Sequence, residues 1–174
     1  MMADLRDVLL VDGYNMIGAW PDLASLSQID MNEARDRLLE RLADYQAFTG
    51  RRVIAVFDAY RVPGKGKTFE QGRVEVYFTK EKETADEAIE RFAVQLRVKR
   101  RLIYVATSDF MEQSVAFAQG ALRVPALELL VDVEQSEKEI GKKIAEQARQ
   151  GHRNTLDGKL TPEQLKMFER WRRQ

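Results

Sequence analysis

The 174-residue chain contains no cysteine and a single histidine, His152. The lack of cysteine excludes disulfides, zinc–thiolate sites and thiol nucleophiles. A histidine-based catalytic triad is not expected, because His152 lies in the polar stretch QGHRNTLDG. No apolar run approaches the ~20 residues of a membrane helix, and the N-terminus MMADLRD lacks the basic-then-apolar order of a signal peptide. We therefore expect an intracellular, cytoplasmic protein that has no contact with a membrane.

An excess of charge of either sign is also absent, since 28 Lys and Arg balance 28 Asp and Glu. Proteins that hold nucleic acid unaided usually carry a basic excess, because phosphate neutralisation supplies most of the non-specific affinity. The balance counts against tight binding to free nucleic acid. Short basic clusters do occur, and taken singly each is explained by a solvated surface.

Strand and helix patterns alternate along the chain. Four short apolar runs predict buried strands, at Val8–Asp12, Val53–Phe57, Val74–Phe78 and Leu102–Thr107. Between and after them, helices are predicted over about 30–50, 85–97, 110–119 and 126–149, with a further C-terminal helix in TPEQLKMFERWRR. Such alternation is typical of an α/β fold with a mainly parallel sheet flanked by helices. We expect a core domain over 1–125 and C-terminal helices over 126–174 that pack on it or extend it.

Two polar segments interrupt this pattern and are predicted as loops. AYRVPGKGKTFEQG, residues 59–72, is long enough to be functional rather than a plain connector. GHRNTLDGK, residues 151–159, separates the last two predicted helices.

Aspartates stand at the ends of three predicted strands: Asp12, Asp58 and Asp109. A fourth, Asp86, lies in the first turn of a predicted helix. The four residues TADE at the start of that helix match a capping box. Parallel strands bring their carboxyl ends to one edge, where ligands bind in such sheets. Taken singly, each acid is explained by helix capping or by the helix dipole. Taken together, four carboxylates on one edge favour a hard cation, Mg²⁺ or Mn²⁺, which offsets their repulsion.

Other phosphate-handling motifs are missing. No G-x-G-x-x-G follows the first strand, and PGKGKT is too compact for a P-loop. Ser108, beside Asp109, has no histidine base nearby in the sequence, so a serine nucleophile is not expected.

The stretches VLLVDGYNMIGAW, VIAVFDAY, VEVYFTKEKETADE and IYVATSDFMEQ, with the GALR that follows, resemble the YacP-like NYN domain family of the PIN-like nucleases. The resemblance runs from about Val8 to the C-terminal FERWRR. It implies a Rossmann-like PIN fold and a metal-dependent endoribonuclease, with mRNA cleavage on the ribosome.

The resemblance also implies site residues. Those that match the family are Asp12, Asn15, Asp58, Asp86 and Asp109, the four aspartates being the metal ligands. The sequence does not rank Glu83 or Glu87 against Asp86. Candidate RNA contacts are the basic residues Lys65, Lys67 and Arg123, with the C-terminal helix.

Three functions remain open on the sequence. The first is an endoribonuclease using Mg²⁺ or Mn²⁺, with mRNA as substrate and the ribosome as partner. The second is a catalytically inert PIN-like adaptor that binds RNA or the ribosome. The third is a metal-dependent phosphatase acting on small phosphomonoesters, which would share the carboxylates.

Overall fold

The computed structural model of the chain describes residues 5–58, 68–71, 73–109, 114, 120–156 and 170, with the backbone alone for 68–71 and 152–156. Within these residues six strands form one sheet in the order β3-β4-β2-β1-β5-β6. The strands are β1 (Val8–Asp12), β2 (Arg52–Phe57), β3 (Thr68–Gln71), β4 (Val74–Phe78), β5 (Ile103–Ala106) and β6 (Leu122–Val124). Five strands run parallel, and β3 pairs antiparallel with β4.

Five helices have described bounds: α1 (Gly13–Ala19), α2 (Pro21–Ser27), α3 (Met31–Thr49), α4 (Ala85–Gln95) and α5 (Ala126–Leu156). Their ends follow local chemistry. Asp30 caps α3 by accepting from the backbone N–H groups of Asn32 and Glu33, and Gly50 ends it in the left-handed conformation. None of these helices is both long and apolar enough to cross a membrane.

The apolar residues form two clusters, one on each face of the sheet. Leu9 and Val11 face the first cluster, where α1, α2, α3 and the first turns of α5 pack. Leu10 and Val56 face the second, which α4 covers. Because helices cover both faces of the sheet, successive residues of its strands are apolar, without alternation with polar residues. The predicted α/β fold with a mainly parallel central sheet is confirmed.

A buried tryptophan ties the start of α5 to the first cluster. The Trp20 indole N–H donates to the Ala126 carbonyl over 2.8 Å. The guanidinium of Arg41 lies 5.2 Å from the Trp20 ring centroid and pairs with Glu137 at 2.7 Å and Asp22 at 3.1 Å. These contacts join α1, α2, α3 and α5 within one compact unit.

The chain divides into two compact units, Met1–Glu137 and Lys138–Gln174. The first contains the whole sheet. In the second, the described residues belong to the C-terminal part of α5 and to Arg170. The predicted division into 1–125 and 126–174 stays a prediction.

Two loop predictions were wrong in part. Strand β3 lies inside the predicted loop 59–72, because pairing with β4 imposes an extended conformation on a sequence rich in turn formers. Residues 151–156, also predicted as loop, continue α5, because one glycine in a helix costs only about 1 kcal/mol relative to alanine. The three-residue β6 was missed, since it is too short to show a period.

Gly13, the first residue of α1 directly after β1, stands where the fold has no room for a side chain. A Cβ at this position would overlap the ring of Phe57, the last residue of β2. That ring cannot easily move, because it is fully buried, stacks on Phe78 at 5.4 Å and meets the Tyr14 ring edge-on at 5.1 Å. Gly13 therefore lets the turn after β1 lie directly against the end of β2.

We expect Gly13→Ala to lower the free energy of unfolding by about 1–3 kcal/mol, the usual effect of overpacking a well-filled core. Urea denaturation measures this. Gly18→Ala is the matched control, because Gly18 lies on the same helix with open space around it. The control should be neutral or slightly stabilising, since alanine favours a helix. Equal stability of the two variants would contradict the steric explanation.

Candidate functional site

Three of the predicted site acids lie at the carboxyl edge of the sheet, at or just beyond the ends of β1, β2 and β5. Asp12 is the last residue of β1 and stands opposite Val56 of β2, so Asp58 comes two residues beyond it. Val11 stands opposite Ala106 of β5, so Asp109 also comes two residues beyond the level of Asp12. The two outer acids therefore follow β2 and β5 at equal offsets on either side of β1.

Asp12 also caps α1. Its Oδ1 accepts from the backbone N–H of Asn15 over 3.3 Å, and its backbone is extended. The capping explanation of this half-buried acid is thus confirmed. It does not by itself account for a charged residue, because asparagine caps as well as aspartate.

Asn15 connects the turn after β1 to the turn after β5. Its Oδ1 accepts from both the backbone N–H and the hydroxyl of Ser108, over 2.6 and 2.8 Å. A backbone N–H can only donate, so the Asn15 atom facing Ser108 is the oxygen and the NH₂ group points elsewhere. The strand order reverses between β1 and β5, which is where open α/β sheets bind ligands. These two bonds therefore span the crevice at which a ligand is expected.

Asp109 is positioned by a buried threonine. Thr107 is fully buried, and its hydroxyl accepts from the Asp109 backbone N–H over 3.0 Å. The Thr107 N–H donates to the carbonyl of Val124, which links the end of β5 to β6. Asp109 itself is exposed, whereas Asp58 is half-buried.

Asp86 lies in the first turn of α4 and is half-buried. Thr84 caps this helix by accepting from the Glu87 N–H over 3.2 Å, as TADE predicts. The crossover from β4 to β5 brings the start of α4 to the same edge of the sheet as the strand ends. Asp86 therefore belongs to the same side of the molecule as the other three acids.

Glu83 is engaged by structural partners. Its carboxylate accepts from the Tyr77 hydroxyl at 2.7 Å and pairs with Arg91 at 3.0 Å, and the Lys80 N–H donates to it at 3.3 Å. Burial acts to raise the pKa of Glu83, but these three partners together lower it below its ordinary value of 4.5. Burial and the neighbouring Glu83 raise the pKa of Tyr77, so its hydroxyl stays protonated and donates. Glu83 thus anchors the segment that leads to Asp86.

Tyr14 and Arg35 extend the site on the β2 side. The Tyr14 ring packs against Phe57, the residue before Asp58, and its hydroxyl accepts from Arg35 Nη1 over 3.0 Å. Sequence reasoning missed Arg35, because nothing in the helical pattern of α3 relates it to the edge. It also considered Ser108 only as a nucleophile and missed its bonds to Asn15.

Of the three predicted RNA-contacting residues, the structure describes one. Arg123 is exposed in the middle of β6, next to Val105 of β5. Lys65 and Lys67 lie outside the described residues. Within the described part of the chain, no three acidic or histidine side chains come close enough together to enclose a metal ion. The predicted ligand set therefore stays a prediction.

Comparisons with known proteins agree on one family. A model of the YacP-like NYN domain matches residues 9–173. YacP of Bacillus subtilis (strain 168) is 50% identical over 167 residues, which are 96% of this chain and 97% of that protein. The crystal structure of Rae1 (YacP) from Bacillus subtilis matches with a TM-score of 0.74 at 50% identity, over 96% of this chain and 95% of the other. A crystal structure of a mutant of Rae1 matches with a TM-score of 0.73 at the same identity, over 82% and 84%.

We expect Glu83→Gln to lower the free energy of unfolding by about 1 kcal/mol at neutral pH, because it removes a partly buried ion pair. Since the folded-state pKa of Glu83 is lowered, its stabilisation is complete above pH 4.5 and is lost as the pH falls through the folded-state pKa. The difference between the variant and the wild type should therefore shrink in acid. Urea denaturation between about pH 3 and pH 7 measures it.

Glu81→Gln is the control for this pH dependence, because Glu81 is an exposed acid on the same segment. It should leave the stability curve unchanged across the range. A Glu83→Gln difference that stayed constant down to the lowest pH would show that the carboxylate charge is not what stabilises the segment.

Proposed function

The chain belongs to the YacP-like NYN domain family, and from that premise we propose that it is a metal-dependent endoribonuclease that cleaves mRNA in association with the ribosome, in the cytoplasm. Membership of a nuclease-like family supports phosphodiester hydrolysis in general. The observation that carries the proposal is the register of Asp12, Asp58 and Asp109 at the ends of three adjacent parallel strands. Asp86, at the start of α4, adds a fourth carboxylate on that side.

These four aspartates are the residues that would hold Mg²⁺ or Mn²⁺, which supplies positive charge to the phosphodiester transition state and acidifies the attacking water. Their oxygen donors suit hard cations. Magnesium is usually held by only one or two carboxylates, with water and substrate phosphates completing its shell. Such an ion does not require three protein acids close together, and no such group occurs among the described residues.

Asn15 has a defined role in this proposal. Ser108 occupies its side-chain oxygen with two donors, so the amide can act toward RNA only through its NH₂ group. A hydrogen bond from this group would orient a phosphate oxygen next to Asp12. Ser108 is then a positioning residue, because it fixes the amide without reaching the substrate.

The electroneutral composition supports a role for the ribosome. A chain with 28 charges of each sign has little electrostatic hold on free RNA. Docking on a large partner that also holds the mRNA would raise the effective concentration of substrate. Arg123, Lys65 and Lys67 are the proposed contacts to RNA.

An inert adaptor that binds RNA or the ribosome is the second candidate. Two observations favour it: Asp12 already serves as a helix cap, and the described residues contain no ready-made metal cage. The nuclease should lose RNA cleavage when a site carboxylate is replaced. The adaptor should cleave no RNA, whether or not the carboxylates are present.

We expect Asp12→Asn and Asp86→Asn each to reduce chelator-sensitive mRNA cleavage by about 100-fold or more, because each removes a carboxylate that would hold the metal ion whose positive charge stabilises the transition state. Asparagine keeps the cap at position 12, so the thermal midpoint should stay close to that of the wild type. The assay maps RNA ends on naked mRNA and on translating complexes, with and without EDTA.

Each of these variants has a matched control. Asp30→Asn removes the charge from another helix cap, and Glu81→Gln removes it from an exposed acid on the segment that leads to Asp86. Both should cleave like the wild type. Full activity in Asp12→Asn or Asp86→Asn would refute the assigned site.

Metal titration separates the nuclease from the adaptor. If RNA completes the metal shell, we expect Mn²⁺ to bind the free protein weakly, in the millimolar range, and at least tenfold more tightly when a non-cleavable RNA analogue is present. Calorimetry measures both affinities. RNA binding that is indifferent to Mn²⁺, together with no cleavage under any condition, would favour the adaptor.

A further inference from the structure

Arg35 is a half-buried cation whose hydrogen-bond partners within the described residues are neutral. Its Nη1 donates to the Tyr14 hydroxyl over 3.0 Å, and its Nη2 donates to Oδ1 of Asn32 in the turn before it on α3. Within the described residues, no carboxylate forms an ion pair with Arg35. The guanidinium is thus held in place with its positive charge uncancelled by a paired carboxylate.

Three other half-buried arginines each have a carboxylate partner. Arg41 pairs with Asp22 and Glu137, Arg52 pairs with Glu75, and Arg91 pairs with Glu83. Arg51 has only neutral partners too, but it covers the Tyr104 ring and lies before β2, at the opposite edge of the sheet.

The position of Arg35 relates it to the acidic edge. Tyr14 comes two residues after Asp12, and its ring lies against Phe57, the residue before Asp58. The hydrogen bond to the Tyr14 hydroxyl therefore places Arg35 on the β2 side of the edge. Asn15, by contrast, is bonded to Ser108 on the β5 side. Asp12 thus lies between the Asn15 amide on the β5 side and the Arg35 guanidinium on the β2 side.

We propose that Arg35 binds a backbone phosphate of the RNA strand next to the phosphate that is cleaved, with Tyr14 as its positioning residue. The inference rests on the proposed nuclease function and specifies how that site holds its substrate. A planar guanidinium suits two oxygens of a phosphate, and neutral anchors orient it without neutralising it. Such a charge offsets the repulsion that a row of carboxylates exerts on a polyanion.

Arg37, two residues along α3, is the contrasting case. It lies on the acidic face of the helix, lines a surface hollow with Asp30, Glu33, Asp36 and Glu40, and approaches Glu33 at 3.8 Å. Arg35 does not line this hollow. Arg37→Gln therefore removes the same charge from the same helix on a different face.

The test compares Arg35→Gln, Arg35→Lys, Tyr14→Phe and Arg37→Gln with the wild type on a short single-stranded RNA at low salt. Two quantities are measured: KM and kcat for chelator-sensitive cleavage, and the salt dependence of RNA binding in EDTA. Thermal midpoints show which variants fold.

We expect Arg35→Gln to raise KM about tenfold with a smaller change in kcat, and to reduce the slope of log K against log salt by about 0.7, the value for one lost phosphate contact on a single strand. Arg35→Lys should restore the slope but only part of the KM, because lysine keeps the charge and lacks the fork. Tyr14→Phe should raise KM by a smaller factor at an unchanged slope. Arg37→Gln should match the wild type.

An unchanged KM and slope in folded Arg35→Gln, with an active wild type, would overturn the inference and leave the proposed function standing. Equal losses in Arg35→Gln and Arg37→Gln would overturn it too, since they would indicate a general charge effect. If the wild type binds RNA without cleaving it, the nuclease proposal fails while the binding slope still decides on Arg35. A wild type that neither binds nor cleaves RNA would refute both.

Discussion

The parallel register of β1 with β2 and β5 is the constraint on which the rest of the structure depends. It sets Asp12 opposite Val56 and sets Val11 opposite Ala106, so acids that are distant in sequence follow neighbouring strands at matching offsets. A shift of one residue would turn every side chain of β1 to the other face of the sheet. Since both faces are buried under helices, such a shift would leave two apolar clusters mismatched at once.

Neutral groups hold the backbone around the edge acids. Thr107 accepts from the Asp109 N–H, Thr84 caps α4 ahead of Asp86, and Ser108 holds the Asn15 oxygen. Arg91, by contrast, pairs with Glu83 at the base of the α4 segment. The segments around the acids are thus fixed largely by hydroxyl and amide groups, and the nearest arginine to Asp86 in sequence is engaged by another acid. The pairing with Arg91 thus distinguishes Glu83 from Asp86. The positions of the two residues in the sequence do not distinguish them.

Sequence reasoning predicted the four main strands to within one residue, because buried apolar runs and flanking breakers are local signals. It placed Asp12, Asp58 and Asp109 at one edge because parallel strands share an orientation. It missed the part played by Ser108 and Arg35, since each depends on a tertiary contact: Ser108 lies 93 residues from Asn15, and Arg35 lies 21 from Tyr14. It also missed β3 and β6, whose strand character comes from the neighbours with which they pair.

Although the positive and negative charges of the chain balance, its arginines differ in whether they are paired with a carboxylate. Arg41, Arg52 and Arg91 are each paired with carboxylates inside the fold, so they add little to the field that an approaching polyanion experiences. The acidic edge adds repulsion. Under the proposed function, affinity for RNA would come from a few oriented cations, from a bound metal ion and from a partner that presents the strand. Each of these acts only when the substrate is correctly placed, so an electroneutral nuclease of this design would gain selectivity through its weak hold on free RNA.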